Sequence, residues 1–179
     1  MTLILSPFKI AQQAIVYWDY SNSIVAVAVA IPESAGGDAH AEGDHVSVTS
    51  RPDGSSCWPY ICTEFASIGL WQINQCANYE ILVDLFLTTN PCNIRDHLRD
   101  PADNARAAYH VWLRQGWGAW SVYNLGLHLQ YMALAATAVN EALKGPPPPT
   151  PVGGVPPPQQ MVEPPWQLVE PPWQLVEPP

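Results

Sequence analysis

Apolar positions recur at helical spacing along most of the chain. Ser6-Pro7 pairs an N-cap with proline at the first helical position, and Phe8, Ala11, Ile15 and Trp18 then share one face. After the polar break at Ser21-Asn22 comes the run Ile24-Val-Ala-Val-Ala-Val-Ala-Ile31. Its alternation suits a buried strand as well as a helix, and Pro32 is expected to end it either way. A further helix is predicted over Asn78 to Leu87. Asp100-Pro101-Ala-Asp103 is a strong start signal for a helix that reaches about Gln115 and stops at Gly116. The last helix begins near Ser121 or Leu125 and closes at Lys144, before Gly145 and a run of prolines. Between Gly36 and Ile68 the chain is rich in Gly, Ser, Asp and Pro, with Val46-Ser-Val48-Thr as its strand-like piece. The expectation is a mostly α domain with one short irregular or β segment.

Proline placement divides the chain. Of 20 prolines, 14 fall in residues 145–179, which also lack Lys and Arg. Residues 1–144 therefore form one predicted domain and 145–179 a Pro-rich tail. Within the tail, Glu163-Pro-Pro-Trp-Gln-Leu-Val169 repeats directly as Glu170-Pro-Pro-Trp-Gln-Leu-Val176 and restarts at Glu177. Pro-Pro in every unit forbids a continuous helix, so the period of seven is read as extended polyproline II geometry. A solvated linker would serve without tryptophan. Trp166 and Trp173, recurring beside Leu and Val, favour a docking segment.

Charge and cysteine content narrow the function classes. The formal net charge of −9 argues against non-specific binding to nucleic acid or anionic membrane. The longest apolar run, Ile24 to Pro32, is too short to span a bilayer, and no ordinary secretory signal is visible at the N-terminus. Cys57, Cys62, Cys76 and Cys92 contain no paired C-x-x-C, so zinc is weakly supported. Two disulfides suit an extracellular or virion-surface protein, Cys57–Cys62 with Cys76–Cys92 being the simplest pairing; four free thiols are the alternative. The stretch Asp38-Ala-His40-Ala-Glu42-Gly-Asp44-His45 is dense in metal-ligand types, yet on a Gly-rich loop it reads as solvation. No metal and no cofactor are expected.

Three short motifs carry the chemistry. An apolar helix ends in Glu33-Ser34 beside small residues; Gly69-Leu70-Trp71-Gln72-Ile73-Asn74 follows; Trp120-Ser121-Val122-Tyr123-Asn124-Leu125-Gly126 comes third. In this order they resemble the lysozyme-like lytic transglycosylases, the soluble transglycosylase domain related to goose-type lysozyme. That family pairs a helix ending in Glu-Ser with Gly-Leu-x-Gln and a later Tyr-Asn-x-Gly. Asp100-Pro-Ala-Asp-Asn104-Ala-Arg106-Ala-Ala108 and Gly116-Trp-Gly118-Ala-Trp120-Ser look like the small domains of this kind in actinobacteria and their phages. The resemblance spans roughly residues 8 to 130. It implies an α+β lysozyme-like fold acting on peptidoglycan glycan strands, with Glu33 as catalytic acid and Tyr123 beside it. Pro32, directly before Glu33, departs from the helical residue usual there.

The residues support that reading independently. Cleaving a glycosidic bond needs a protonated acid at the leaving oxygen and stabilisation of oxocarbenium-like charge. Glu33, where an apolar run meets a Gly-rich loop, sits where desolvation favours the protonated form. Ser34, Gly69, Leu70, Trp71, Gln72, Asn74, Trp120 and Asn124 form the expected substrate-binding set, with amides for hydrogen bonds and indoles for sugar faces. Trp71 stands open between sugar platform and core, Trp112 beside Tyr109 reads as core, and Arg106 as an ion pair with Asp103. Three functional readings follow. A cell-wall glycosidase borne on a phage particle, docked to tail proteins through residues 145–179, is favoured. A free, extracellular lysis enzyme and a structural virion protein with a degenerate lysozyme-like fold are the others. No second acid lies in the three motifs; the nearest are Asp38, Glu42 and Asp44. If one of them holds a water, the enzyme is an inverting hydrolase. If none does, the substrate serves itself and a 1,6-anhydromuramyl end is expected.

Overall fold

The computed structural model describes residues 2–45 and 65–145. Helix α1 (Pro7–Ala14) starts as its sequence demands, with the Ser6 hydroxyl accepting from the Lys9 N–H. The Val-Ala run resolves as helix: α2 (Tyr20–Glu33) is capped by Asp19, whose carboxylate accepts from the Asn22 N–H at 2.8 Å. Residues Ala26 to Ile31 are buried on every side of the turn, which explains why no amphipathic stripe is legible there.

Pro32 does not end this helix. It lies inside the last turn, and α2 continues to Glu33. A proline there removes one i→i−4 bond, yet the turn is held by other donors. The Ser34 N–H and hydroxyl both donate to Ala30 O, at 3.0 and 2.6 Å, and the Gly36 N–H donates to Ile31 O at 2.8 Å.

A three-stranded antiparallel sheet follows, in the order β1 (Glu42–His45), β2 (Phe65–Ile68), β3 (Ile73–Asn74). Gly43 pairs with Ser67, and Ile68 with Ile73. Strand β1 thus occupies a stretch whose polar, Gly-containing composition reads as loop; pairing with β2 overrides local propensity. The strand-like Val46–Thr49 lies outside the described residues, as do Cys57, Cys62 and the 146–179 tail.

Five more helices follow among the described residues, the first four being α3 (Tyr79–Phe86), α4 (Pro91–Arg99), α5 (Pro101–Gln115) and, after a 3-10 turn at Trp117–Ala119, the single turn α6 (Ser121–Asn124). A second 3-10 segment, Leu127–Tyr131, leads into α7 (Met132–Lys144). The long final helix predicted from sequence is therefore broken, at Gly126 with φ +71°. Helix α4 has no counterpart in the sequence reading, although Asn90-Pro91 repeats the cap-and-proline signal of Ser6-Pro7; the Asn90 side chain accepts from the Cys92 N–H at 2.9 Å. Helices α1, α2 and α7 pack together as one layer, and α3, α4, α5 and the sheet lie against the other side of the core.

The pairing Cys76–Cys92 is corrected. Cys92 is a free thiol on the exposed first turn of α4, whereas Cys76 is buried and disulfide-bonded elsewhere.

The sheet is bolted to the helices by one buried side chain. Asn104 of α5, wholly buried, donates from Nδ2 to Ile68 O and Leu98 O, each at 2.9 Å, and accepts from the Trp71 N–H at 2.9 Å. Gly69 completes the fit: with φ +83°, a Cβ there would stand 2.3 Å from Asn104 Nδ2 and 2.4 Å from Leu98 O. A second tie is ionic. Glu42 of β1 receives Arg95 at 2.5 Å and also Arg99, both from α4.

Asn104→Ala should lower the unfolding free energy by about 3 kcal/mol, because three buried backbone groups lose their partner. Urea denaturation measures this; a loss under about 1 kcal/mol would mean that water replaces the carboxamide.

Candidate active site

Helix α2 delivers Glu33 to a cleft of about 430 Å³ between the helical layer and the sheet. Gly43 of β1, Ser67 of β2, and Gln72 and Asn74 around β3 form one wall. Gln115 at the end of α5, Trp120 and Ser121 form the opposite wall, with Asn78 below. Among the described residues lining this cleft, Glu33 is the only charged one.

Among the described groups, the helix end and a neighbouring N–H act on that carboxylate in opposite senses. The last turn of α2 is the negative end of its helix dipole, which opposes a charge on Glu33. The Val122 N–H, in the first turn of α6, donates to Glu33 Oε1 at 3.5 Å, a long bond that favours the charge.

The Gly-Leu-Trp-Gln segment has a split role. Gln72 takes φ +45°, and its Nε2 is clamped by Ala41 O and Gly69 O, both at 3.0 Å. With both amide hydrogens spent, its carbonyl oxygen is left beside Gly43; a Cβ on Gly43 would come within 2.4 Å of it. Gly69, Leu70 and Trp71, expected to bind substrate, are buried. Gly69 is packed on Asn104. Leu70 fills the core. Trp71 donates from Nε1 to Ala26 O at 3.0 Å and lies 5.8 Å from Trp18, so it is core and not a sugar platform. Ser34 is likewise buried, its hydroxyl donating to Ala30 O and accepting from the Gly37 N–H at 3.1 Å. These four expectations are corrected. In the Gly-Leu-Trp-Gln segment the small and apolar members build the support of the cleft and Gln72 faces it, while the Ser34 hydroxyl is spent on closing the end of α2.

Asn74 lines the cleft, but its Oδ1 caps the following turn, accepting from the Cys76 and Ala77 N–H groups at 3.1 and 2.9 Å. Trp120 also lines it, anchored by Nε1 donating to Trp71 O at 2.7 Å. Asn124 is exposed and donates to Gly118 O at 2.9 Å, tying α6 to the preceding 3-10 turn. Tyr123 is half-buried. Its ring stacks 4.5 Å from His128 and 6.2 Å from Trp117, and it is not among the residues that line the cleft.

Two of the three other acids from the sequence reading are committed elsewhere. Asp38 Oδ1 accepts from the Leu3 and His40 N–H groups at 3.3 and 2.9 Å, and Glu42 is held by the two arginines. The side chain of Asp44 lies outside the described residues. Arg106 pairs with Asp103 at 3.2 Å, and Trp112 stacks on Tyr109 at 5.7 Å, both as the sequence suggests. Sequence reasoning missed Gln115, Asn78 and Ser67. Asn78 is legible there only as a helix start. Gln115, two residues before Trp117, looks like a solvated helix end, although its Nε2 donates to Asn78 Oδ1 at 3.3 Å across the floor of the cleft.

A family model described as a lysozyme-like domain matches residues 18–122, more than half of the chain, taking in Glu33, Gln72 and Trp120. The chain belongs to this lysozyme-like domain family. No match was found among curated proteins or among solved structures. Membership gives the cleft its general chemistry: a lysozyme-like domain implies a glycosidase of peptidoglycan.

Gly43→Ala should displace the Gln72 carboxamide from its two carbonyl anchors without touching the core. The expected result is a roughly tenfold fall in cell-wall cleavage, since small displacements in a positioning group are costly, with the melting temperature nearly unchanged. Turbidity clearance of a wall suspension alongside thermal melting checks both halves.

Proposed function

We propose that this lysozyme-like domain is a lytic transglycosylase that cuts the MurNAc–GlcNAc β-1,4 bond with Glu33 acting alone as acid and then base. Supporting this is the single carboxylate among the described residues of the cleft, with Asp38 and Glu42 committed to architecture. Inverting and retaining hydrolases canonically use a second acid placed across the bond. With one, the substrate completes the reaction itself. Protonated Glu33 gives its proton to the glycosidic oxygen, the bond to the anomeric carbon breaks, and the acetamido oxygen of the sugar stabilises the cation. Glu33, now a carboxylate, takes the proton of the 6-hydroxyl, whose oxygen closes on the anomeric carbon. The product is a 1,6-anhydromuramyl end, and no water is consumed. Gln72 and Gln115 offer amide contacts to hydroxyl and acetamido groups, and Trp120 offers an apolar face.

A delivery role goes with this activity. The repeated Glu-Pro-Pro-Trp-Gln-Leu-Val units of residues 163–176 suit docking onto other proteins of a phage tail, and the net acidity suits a protein held on a particle better than one drawn freely to an anionic wall.

Glu33→Gln should reduce wall cleavage by about a thousandfold or more while leaving the fold intact, since it removes the transferable proton and keeps size and polarity. Mass spectrometry of the muropeptides made by the wild type decides the reaction. Anhydro products, lighter by one water, are expected; products wholly of the heavier species would make the enzyme a hydrolase.

Replacing Trp166 and Trp173 together by alanine should leave cleavage unchanged and abolish incorporation into particles, because aromatic anchors dominate such contacts. Immunoblotting of purified particles measures it, and normal incorporation would reduce the tail to a linker.

A further inference from the structure

Helix α6 is one turn long and has no side-chain cap: Trp120 stands at its N-cap without a side-chain hydrogen bond to the turn. So short a helix has no stability of its own. Yet it carries the Val122 N–H that reaches Glu33. Something outside it must fix its position, and the neighbouring rings are placed to do so. Tyr123, the residue after Val122, stacks with two rings, Trp117, 6.2 Å away and inclined by 30°, and His128, 4.5 Å away and inclined by 18°. Trp117 is itself anchored, its Nε1 donating to Asn22 Oδ1 of α2 at 3.1 Å and its ring stacked 5.8 Å from Trp18. That side of the ring cluster is tied to the helix that carries Glu33.

His128 is the other side. It comes from the 3-10 segment Leu127–Tyr131, is 7% exposed, and its Nδ1 is buried without a hydrogen-bond partner. A buried ring nitrogen left unpaired costs stability, so hydrogen bonding by that nitrogen is not what seats the ring. What the ring does offer is its flat face, at stacking distance from Tyr123. The turn that bears it follows Gly126, whose φ of +71° doubles the chain back so that residue 128 lies over residue 123.

We infer that His128 is a positioning residue for the acid–base site: its ring face presses Tyr123 against Trp117 and thereby holds α6, with the Val122 N–H, against Glu33. The role belongs to the ring face and not to the imidazole nitrogens. It rests on the reading of Glu33 as the acid and base.

Three variants test this on the full chain: His128→Phe keeps a flat ring, His128→Leu keeps apolar volume without one, and His128→Ala removes both. Each is measured for kcat and KM on soluble glycan strands, with thermal melting beside it and Glu33→Gln as reference. His128→Leu and His128→Ala should lower kcat by about tenfold to a hundredfold with KM within about twofold, the signature of a misplaced reacting group. His128→Phe should restore kcat to near wild type and melt no lower than it. If His128→Phe is folded but as impaired as His128→Leu, the nitrogens matter and the inference fails. It fails also if His128→Leu keeps wild-type kcat, or if only KM moves. An active Glu33→Gln would instead sink the assignment of Glu33, a separate outcome.

Discussion

The carboxamide of Asn104 is the constraint through which the rest of the molecule is assembled. It has one acceptor and two donor hydrogens, and all are spent on backbone groups of three different segments. One of these segments is the turn carrying Gly69 to Gln72. From there the chain of bonds continues. Trp71 donates to a carbonyl of α2, and Trp120 donates to Trp71 O. The helix holding Glu33, the wall holding Gln72 and the wall holding Trp120 are thus referred to one fixed point. A hydrogen bond between uncharged groups is modest in net energy, but a buried group left without one is costly, and that asymmetry makes the arrangement specific.

The cleft shows a division of labour among its polar residues. Outside the cleft, Glu42 is held by arginines, and Asp19, Asp38 and Asp100 by backbone N–H groups. Among the described residues of the cleft, uncharged carboxamides and hydroxyls accompany Glu33. Such groups can bond to sugar hydroxyls and acetamido groups without competing with Glu33 for charge. Arg95 and Arg99 of α4 are turned to Glu42, and this pulls the sheet onto α4.

Local signals are legible at several helix ends. Ser6, Asp100 and Asn78 mark helix starts in sequence and in structure, and the Glu-Ser end of α2 does face a cleft. Helix α4 is hard to read because its composition, Pro-Cys-Asn-Ile-Arg-Asp-His-Leu-Arg, is mostly polar and its buried face consists of Ile94 and Leu98 alone, too few apolar positions to stand out. Strand β1 exists because β2 lies beside it, a fact that no window of residues around Glu42 contains. Trp71 was undecidable for the same reason. An indole suits sugar and core equally, and only the position of the Ala26 carbonyl settles it. Leu87 ends α3 in the left-handed region at φ +53°, where glycine would be expected, so that stop too was visible only as the end of a pattern.

Five tryptophans, Trp18, Trp71, Trp112, Trp117 and Trp120, form a connected set with neighbouring ring centres 5.6 to 6.4 Å apart. At such separations light absorbed by one indole passes among the others before it is emitted. The set therefore shines as a single source whose colour and yield are averaged over the core. Only Trp120 of the five borders the cleft. A sugar laid against it would alter the emission of rings that it never touches, and the interior of the protein becomes an optical reporter for events at its surface.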